Sequence, residues 1–476
     1  MTRYRLLTSA VALSFALGMC GLAVGQEEDE ATYTPDEGPA QVQQIAPTTS
    51  TPQPAIFVPR GTVVTPASSL TRPEDAGLFA HTNYHIFVPA GGPMSSVTPY
   101  YTFAETPASL GCVYKVGPTY TGCNPATGGT NHPTGGWGAI ALVDAYDNPN
   151  AASDLATFSA HFGLPAATFT KVYANSSFGN LNGMTASCSG VPAGNTNWGV
   201  EEDLDIEWAH AMAPSAQIIL VEACSNSLND LLYAEQVAGI KVAAAGGGDI
   251  SNSWGSGEFS TEVNTTDDVF YRYHPSKITY FASAGDTGWG AAYPSSSPWV
   301  VSAGGTTVNR DVNGNFVSES CWSGSGGGVS LYETWKSPPN ILNGMGPWSD
   351  YQYPFAGQTA RQTPDIAFDA DPASGVYVYD SYGHSGWLTV GGTSVASPAL
   401  AGIVNNANNR LGQAPPAGGN YSTLENNFIY AQLFSTASYS SNFYDVTTGS
   451  NGTGHSARPG YDQCTGVGTP RGKAGK

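Results

Sequence analysis

Charge is scarce in this chain. Only 11% of its 476 residues are Asp, Glu, Lys or Arg, against roughly 25% in ordinary globular proteins. Cations are scarcer still, since 17 Lys and Arg stand against 37 Asp and Glu, for a formal net charge of −20. That balance argues against nucleic acid or an anionic membrane surface as the main partner, because both call for clustered positive charge. Few carboxylate–ammonium pairs can form, and acid would remove them by protonation. Adaptation to acid accounts for this composition, and so does a secreted surface built from Gly, Ser, Thr, Asn and Tyr. No apolar run beyond residue 24 is long enough to span a bilayer. No Cys-x-x-Cys spacing suggests zinc, and no internal repeat is visible.

Arg3 and Arg5 precede an apolar run from Leu6 to about Val24, and Ala23-Val24-Gly25 supplies small residues before Gln26. This is the pattern of a secretion signal over residues 1–25. The acidic Glu27–Glu30 tract argues against a membrane anchor, and Met19 before Cys20 fits lipoprotein processing poorly. Residues 26–58, acidic and then rich in Pro, Thr and Gln, read as a disordered linker. Residues 59–97 hold short extended patches such as HIFVPAGG and no evident domain of their own. Six cysteines follow the signal, an even count that favours disulfides in an exported chain. Cys112 and Cys123, in one Gly/Pro/Thr-rich loop, are the safest pair. The connectivity of Cys188, Cys224, Cys321 and Cys464 stays open.

From residue 98 the pattern changes. GWGAIALVDAY, AQIILVEA, DISNSW, ITYFASAGD and WVVSAGGT are short buried strands. DLATFSAHFGL, VEEDLDIEWAHAMAP (stopped before Pro214) and LNDLLYAEQVAGIKVAAA have helical spacing. This alternation predicts a doubly wound α/β domain, a mainly parallel sheet with helices on both faces.

The stretch VGGTSVASPALAGIV places Ser394 where an apolar strand turns into a helix, predicted over 395–411. Gly391 and Gly392 permit close backbone approach, and the helix N-terminus lends partial positive charge to the hydroxyl. An ordinary Ser cap needs less than Gly-Gly-Thr-Ser-x-x-x-Pro, so the motif points to a nucleophile, which requires a base. None of the eight histidines opens a His-Gly-Thr helix, and His210 reads as a half-buried helix residue. The acidic helix supplies another base. Glu201 and Asp205, four apart, share a face, so Glu201 could take the Ser394 proton while Asp205 holds Glu201 in place. Such a base still works at about pH 3–5, where an imidazole of pKa ~6.5 is protonated. Acids early in a helix also simply oppose its dipole, and Glu202, Asp203 and Glu207 are read as solvated residues of that kind. In SAGD, Asp286 can donate to an oxyanion only when protonated, which again points to acid.

In this order, Glu-x-x-x-Asp-Ile-Glu, Ser-Ala-Gly-Asp and Gly-Gly-Thr-Ser-x-x-x-Pro resemble the sedolisin family of serine-carboxyl peptidases, over about residues 98–472. The resemblance implies a subtilisin-like fold in a domain of residues 98–476. It makes Ser394 the nucleophile, Glu201 the general base, Asp205 its orienting partner and Asp286 the oxyanion acid. It further implies that Asp144 extends the carboxylate network with Trp254 nearby, and that Gly326, Gly327 and Gly328 border the substrate cleft. By the same resemblance one structural Ca²⁺ is held by the Asp445 and Asp462 side chains and the carbonyls of Val446, Arg458 and Gly460. All-oxygen ligands suit that ion. Family members carry a long folded propeptide, whereas only residues 26–97 stand between signal and domain here. The expectation is a secreted, monomeric, acid-active endopeptidase on protein or peptide substrates, with no nucleic acid or membrane partner. Tripeptidyl-peptidase action stays open. A neutral subtilisin-like protease and a non-catalytic secreted binding protein on the same fold are the alternatives.

Overall fold

The computed structural model describes residues 55–264, 277–334, 360–408, 413 and 420–476. The expected secretion signal, nearly all of the expected linker and His274 lie outside the described residues. An eight-stranded sheet forms the centre. Its order is Phe316–Cys321, Val301–Arg310, Ile278–Ser283, Gly248–Asn252, Ala139–Ala145, Gln217–Ala223 and Thr168–Ala174, with Ile366–Asp369 also beside Val301–Arg310. Every ladder is parallel except that of the edge strand Phe316–Cys321.

Side chains alternate across a strand, so a strand covered on both faces is apolar throughout. In the strand AIALVDA, Ile140 and Leu142 enter one core, and Ala139, Ala141 and Val143 enter the other. Asp144 follows the parity of Ile140 and Leu142. On that face lie the acidic helix Thr196–Met212 and the serine helix Thr393–Ala407, packed against each other. The helices touch at Gly402, where an added Cβ would sit 2.7 Å from the Met212 Cβ and 3.0 Å from the Ala209 carbonyl oxygen. Helix Leu228–Ala244 covers the opposite face.

The serine helix ends earlier than its sequence suggests. Asn408 adopts φ 53° and closes it at Ala407, because Asn tolerates the left-handed conformation that caps helices. Residues 59–97 contribute pairing of their own. Gly61–Val64 lies against His85–Pro89, and His85–Pro89 lies against Gly386–Gly391, the strand leading into the serine helix. His81–Thr82 pairs antiparallel with Trp254–Gly257.

Cys112 and Cys123 are bonded as expected, and the open connectivity resolves to Cys188–Cys224 and Cys321–Cys464. Two buried cations have dedicated partners. Arg310 Nη2 donates to Glu105 at 2.6 Å, and Arg361 donates from both terminal nitrogens to Asp365, at 2.7 and 2.6 Å. Removing one member of a buried pair strands the other's charge. Glu105→Gln should therefore lower unfolding stability by about 3 kcal/mol in urea titration; an unchanged midpoint would show that Arg310 does not need the charge.

Candidate active site

The Asn195 side chain caps the acidic helix by accepting from the Asn197 and Trp198 backbone N–H groups. Its acids recur on every side, and all are buried, Glu202, Asp203 and Glu207 included. The expectation of solvated residues is therefore corrected. This helix lies between the sheet, the serine helix and the strand Val376–Asp380, so no face is left for water. Glu202 accepts from the Asn148 N–H at 3.2 Å, and Glu207 accepts from the Tyr379 N–H at 3.1 Å. Asp203 lies against Asp380 and Asp154. His210 is corrected likewise: it is fully buried, its Nε2 on the Pro165 carbonyl oxygen at 2.9 Å.

Glu201, Asp205 and Asp144 converge on the Ser394 end of this interior. Burial raises the Glu201 pKa well above the ordinary range. The Asp144 charge raises it further, while the Ser394 hydroxyl and the Asn83 backbone favour its ionised form. Among the described residues neither Glu201 oxygen has a partner at hydrogen-bond geometry. The Ser394 hydroxyl donates instead to the Ser253 carbonyl at 3.2 Å. Asp205 is raised by burial, then by Asp144 and Glu201, and accepts from the Ser253 hydroxyl at 2.6 Å. Asp144 is pushed up to about 8 by burial and by Glu222, its parallel-register neighbour. Glu222, raised to about 7, lies 3.0 Å from Lys171. The carboxyls thus form a row from Ser394 to a cation on the far side and titrate as a unit. The Trp254 indole N–H donates to the Val143 carbonyl at 3.0 Å, holding the ring beside this row.

Asp286 approaches Ser394 from the opposite side. Its Oδ1 accepts from both the backbone N–H and the hydroxyl of Thr393, each at 2.8 Å. With Oδ1 committed to accepting, the proton belongs on Oδ2, and burial pushes the acid up to about 8. Oδ2 lies 3.5 Å from His85 Nε2. Since burial lowers that imidazole to about 4, the contact joins two neutral groups between those values rather than an ion pair. Gly326 donates its N–H to the Gly285 carbonyl at 2.6 Å, and Gly327 exchanges hydrogen bonds with Gly290. A Cβ at Gly326 would lie 1.9 Å from the Ala284 oxygen, so this glycine lets two loops meet beside Asp286. Gly328 opens the strand Gly328–Thr334.

Away from this site, Asp445 accepts from the Gly460 N–H at 3.1 Å, and Asp462 accepts from the Arg458 N–H at 3.1 Å. Burial raises both acids, Asp462 to about 6, and both act on the Tyr439 hydroxyl. Two carboxylates bracketing one backbone loop make an oxygen donor set that fits Ca²⁺. Val446 is buried beside Asp445. A second acidic group, Asp154, Asp203 and Asp380, has ligand oxygens within 4.8 Å of one another. Sequence reasoning missed Glu222, Lys171, Ser253, Thr393, Asn83 and His85. An acid ending the apolar strand QIILVEA was the available signal for Glu222, and Thr393 stands inside the Gly-Gly-Thr-Ser motif; the others carry none in their local sequence.

This geometry has known relatives. The Subtilase family model matches residues 171–458. Kumamolisin of Bacillus sp. (strain MN-32) is 28% identical over 362 residues, covering 70% of this chain and 58% of that protein. Sedolisin of Pseudomonas sp. (strain 101) is 29% identical over 221 residues, 40% of this chain and 33% of that protein. The solved structure of Pseudomonas sedolisin with two molecules of pseudo-iodotyrostatin has the same fold. Its TM-score is 0.57 at 23% identity, over 78% of this chain and 96% of that one. The chain belongs to the subtilase family, on its sedolisin branch. It spans less than two thirds of the length of these curated relatives.

Each raised carboxyl binds its proton more tightly folded than unfolded. The folded chain therefore holds extra protons between the ordinary carboxylate value near 4 and the raised values, about 7 for Glu222 and about 8 for Asp144 and Asp286. Stability is full below that window and falls as pH rises through it. The melting temperature should drop from pH 4 to pH 8 in scanning calorimetry; a flat or rising profile would contradict the assignment.

Proposed function

We propose that this chain is a secreted, acid-active serine-carboxyl peptidase that cleaves peptide bonds through an acyl-enzyme on Ser394. What carries the reading is one arrangement. Ser394 is buried at a helix N-terminus between a row of carboxyls on one side and a proton-bearing Asp286 on the other. Among the described residues the histidine beside it is His85, which faces Asp286. Relatives named as kumamolisin, sedolisin and tripeptidyl-peptidase 1 of Dictyostelium discoideum support the peptidase class.

In this mechanism the reactive form is the one in which the carboxyl row has lost one proton, the charge drawn to Glu201 by the Ser394 hydroxyl and by proton donation from Asp205 and Asp144. Glu201 accepts the Ser394 proton as the oxygen attacks the carbonyl carbon, then returns it to the departing amine. The Ser394 N–H and the protonated Asp286 Oδ2 donate to the tetrahedral oxyanion, which needs no cation. Raising the pH strips Asp286 and adds charge to the row, so both roles fail together. Calcium at Asp445, Asp462 and the carbonyls of Val446, Arg458 and Gly460 would tie the C-terminal loop to the domain.

A pH–rate profile on a denatured protein should peak below about pH 5. Glu201→Gln should lower kcat on the order of a thousandfold or more, and Ser394→Ala should abolish turnover. An optimum above pH 7, or full activity in Glu201→Gln, would defeat the carboxylate mechanism. A chelator should lower the melting temperature, because an ion bound only by the folded state stabilises it; an unmoved transition would remove calcium from this site.

A further inference from the structure

The acidic helix has two acidic faces. Residues four apart on a helix are neighbours, whereas residues two apart point away from each other. Glu201 and Asp205 lie toward Ser394, so Asp203 and Glu207 lie away from it. That second face packs against the helix Ala151–Phe162 and the strand Val376–Asp380. Asp154 comes from that helix and Asp380 ends that strand. Ligand oxygens of Asp154, Asp203 and Asp380 lie within 4.8 Å of one another, and none of the three residues is more than 1% exposed. Among the described residues the basic group in contact with them is His384, whose Nδ1 lies 2.7 Å from Asp380 Oδ2.

Donors are shared unevenly among these acids. Asp154 accepts from the Ser381 N–H at 2.9 Å and from its hydroxyl at 2.7 Å. Asp380 accepts from the N–H groups of Tyr382 at 2.9 Å and Gly383 at 3.2 Å. Such donors hold two carboxyls in place, as outer partners do around a bound ion. Among the described residues Asp203 is different, since both of its oxygens are buried without a partner at hydrogen-bond geometry. The Asn148 amide beside it is committed to the Gly199 carbonyl at 3.1 Å. Glu207, outside the three, gives an independent sign. Its Oε2 accepts from the N–H of Tyr379, the residue before Asp380, and its Oε1 is buried with no such partner. Glu207 also feels the charges of Asp203, Asp154 and Asp380. One proton supplies one donor, which is too few for this many bare oxygens.

We infer that Asp154, Asp203 and Asp380 bind a hard divalent cation, Ca²⁺, at a site separate from the catalytic row and from the C-terminal loop. Oxygens this close can share one ion through bonds of ~2.3–2.6 Å. An all-carboxylate set favours such a cation over zinc or copper, which prefer nitrogen and sulfur. His384 orients the Asp380 carboxyl from outside. The ion joins three elements at one point: the helix Ala151–Phe162, the acidic helix and the strand Val376–Asp380. That strand pairs with Gly386–Gly391, which leads into the serine helix. The inference stands apart from the peptidase reading, because it uses none of the residues assigned to catalysis.

The test treats the full chain with chelator, exchanges it into buffer at pH 6.5, where ligand carboxyls ionise more readily than in acid, and measures bound Ca²⁺ by equilibrium dialysis. Wild type, Asp203→Asn, Asp462→Asn and the double variant are compared, with circular dichroism to show that each is folded. The expected result is that Asp203→Asn removes one ion per chain, both from wild type and from the Asp462→Asn background. Calcium should raise the melting temperature of Asp462→Asn and leave that of the double variant unmoved. Asp380→Asn, at a different ligand, should repeat the loss, and it decides the matter if Asp203→Asn does not fold. The same ion count with Asp or Asn at position 203, in folded chains, overturns the inference. An ion kept in full by Asp380→Asn overturns the ligand assignment. Displacement of Ca²⁺ by an equal concentration of Mg²⁺ overturns the choice of the larger ion.

Discussion

Moving an ionised carboxylate into a low-dielectric interior costs several kcal/mol unless a cation or several donors receive it. The acidic helix buries Glu201, Glu202, Asp203, Asp205 and Glu207 together, and among the described residues Lys171 is the cation in contact with their row, through Glu222. Neutral carboxyls are the way this packing is tolerated. The raised pKa values of the site follow from that one constraint, because a carboxyl that must hold its proton to be buried also holds one to donate.

The sheet puts this constraint to use. Parallel strands send Asp144 and Glu222 out at the same level, on the face where the acidic and serine helices pack. The strand Gly386–Gly391 delivers Thr393 and Ser394 to a helix start. Thr393 then orients Asp286 through its backbone and its hydroxyl. Neighbouring residues on one helical turn therefore serve the two halves of the proposed site, Thr393 holding Asp286 and Ser394 standing at the helix start.

Much of this was legible in the chain. Apolar strands of five to ten residues alternating with helices announced the parallel sheet. The GGTS, EEDLD and SAGD stretches each carry a local signature that survives without tertiary information. Burial of Glu202, Asp203 and Glu207 was not legible, because an acid on a helix reads as solvated unless a third layer is known to cover it. The contributions of Asn83 and His85 were hidden for a different reason. They depend on a chain segment returning 200 residues from Ser283, and HTNYH has no pattern that marks it as anything but loop.

Gly402 bears on how finely the proposed site is set. The acidic and serine helices touch there, and an added Cβ would press on both the Met212 side chain and the Ala209 carbonyl. Gly402 lies eight residues beyond Ser394, about 12 Å along the helix axis. The helices behave as the arms of a pair of tongs with this glycine at the rivet. A methyl group added at the rivet would splay the tips, so the reach from Ser394 to Glu201 is set as much by a missing side chain two turns away as by the reacting groups.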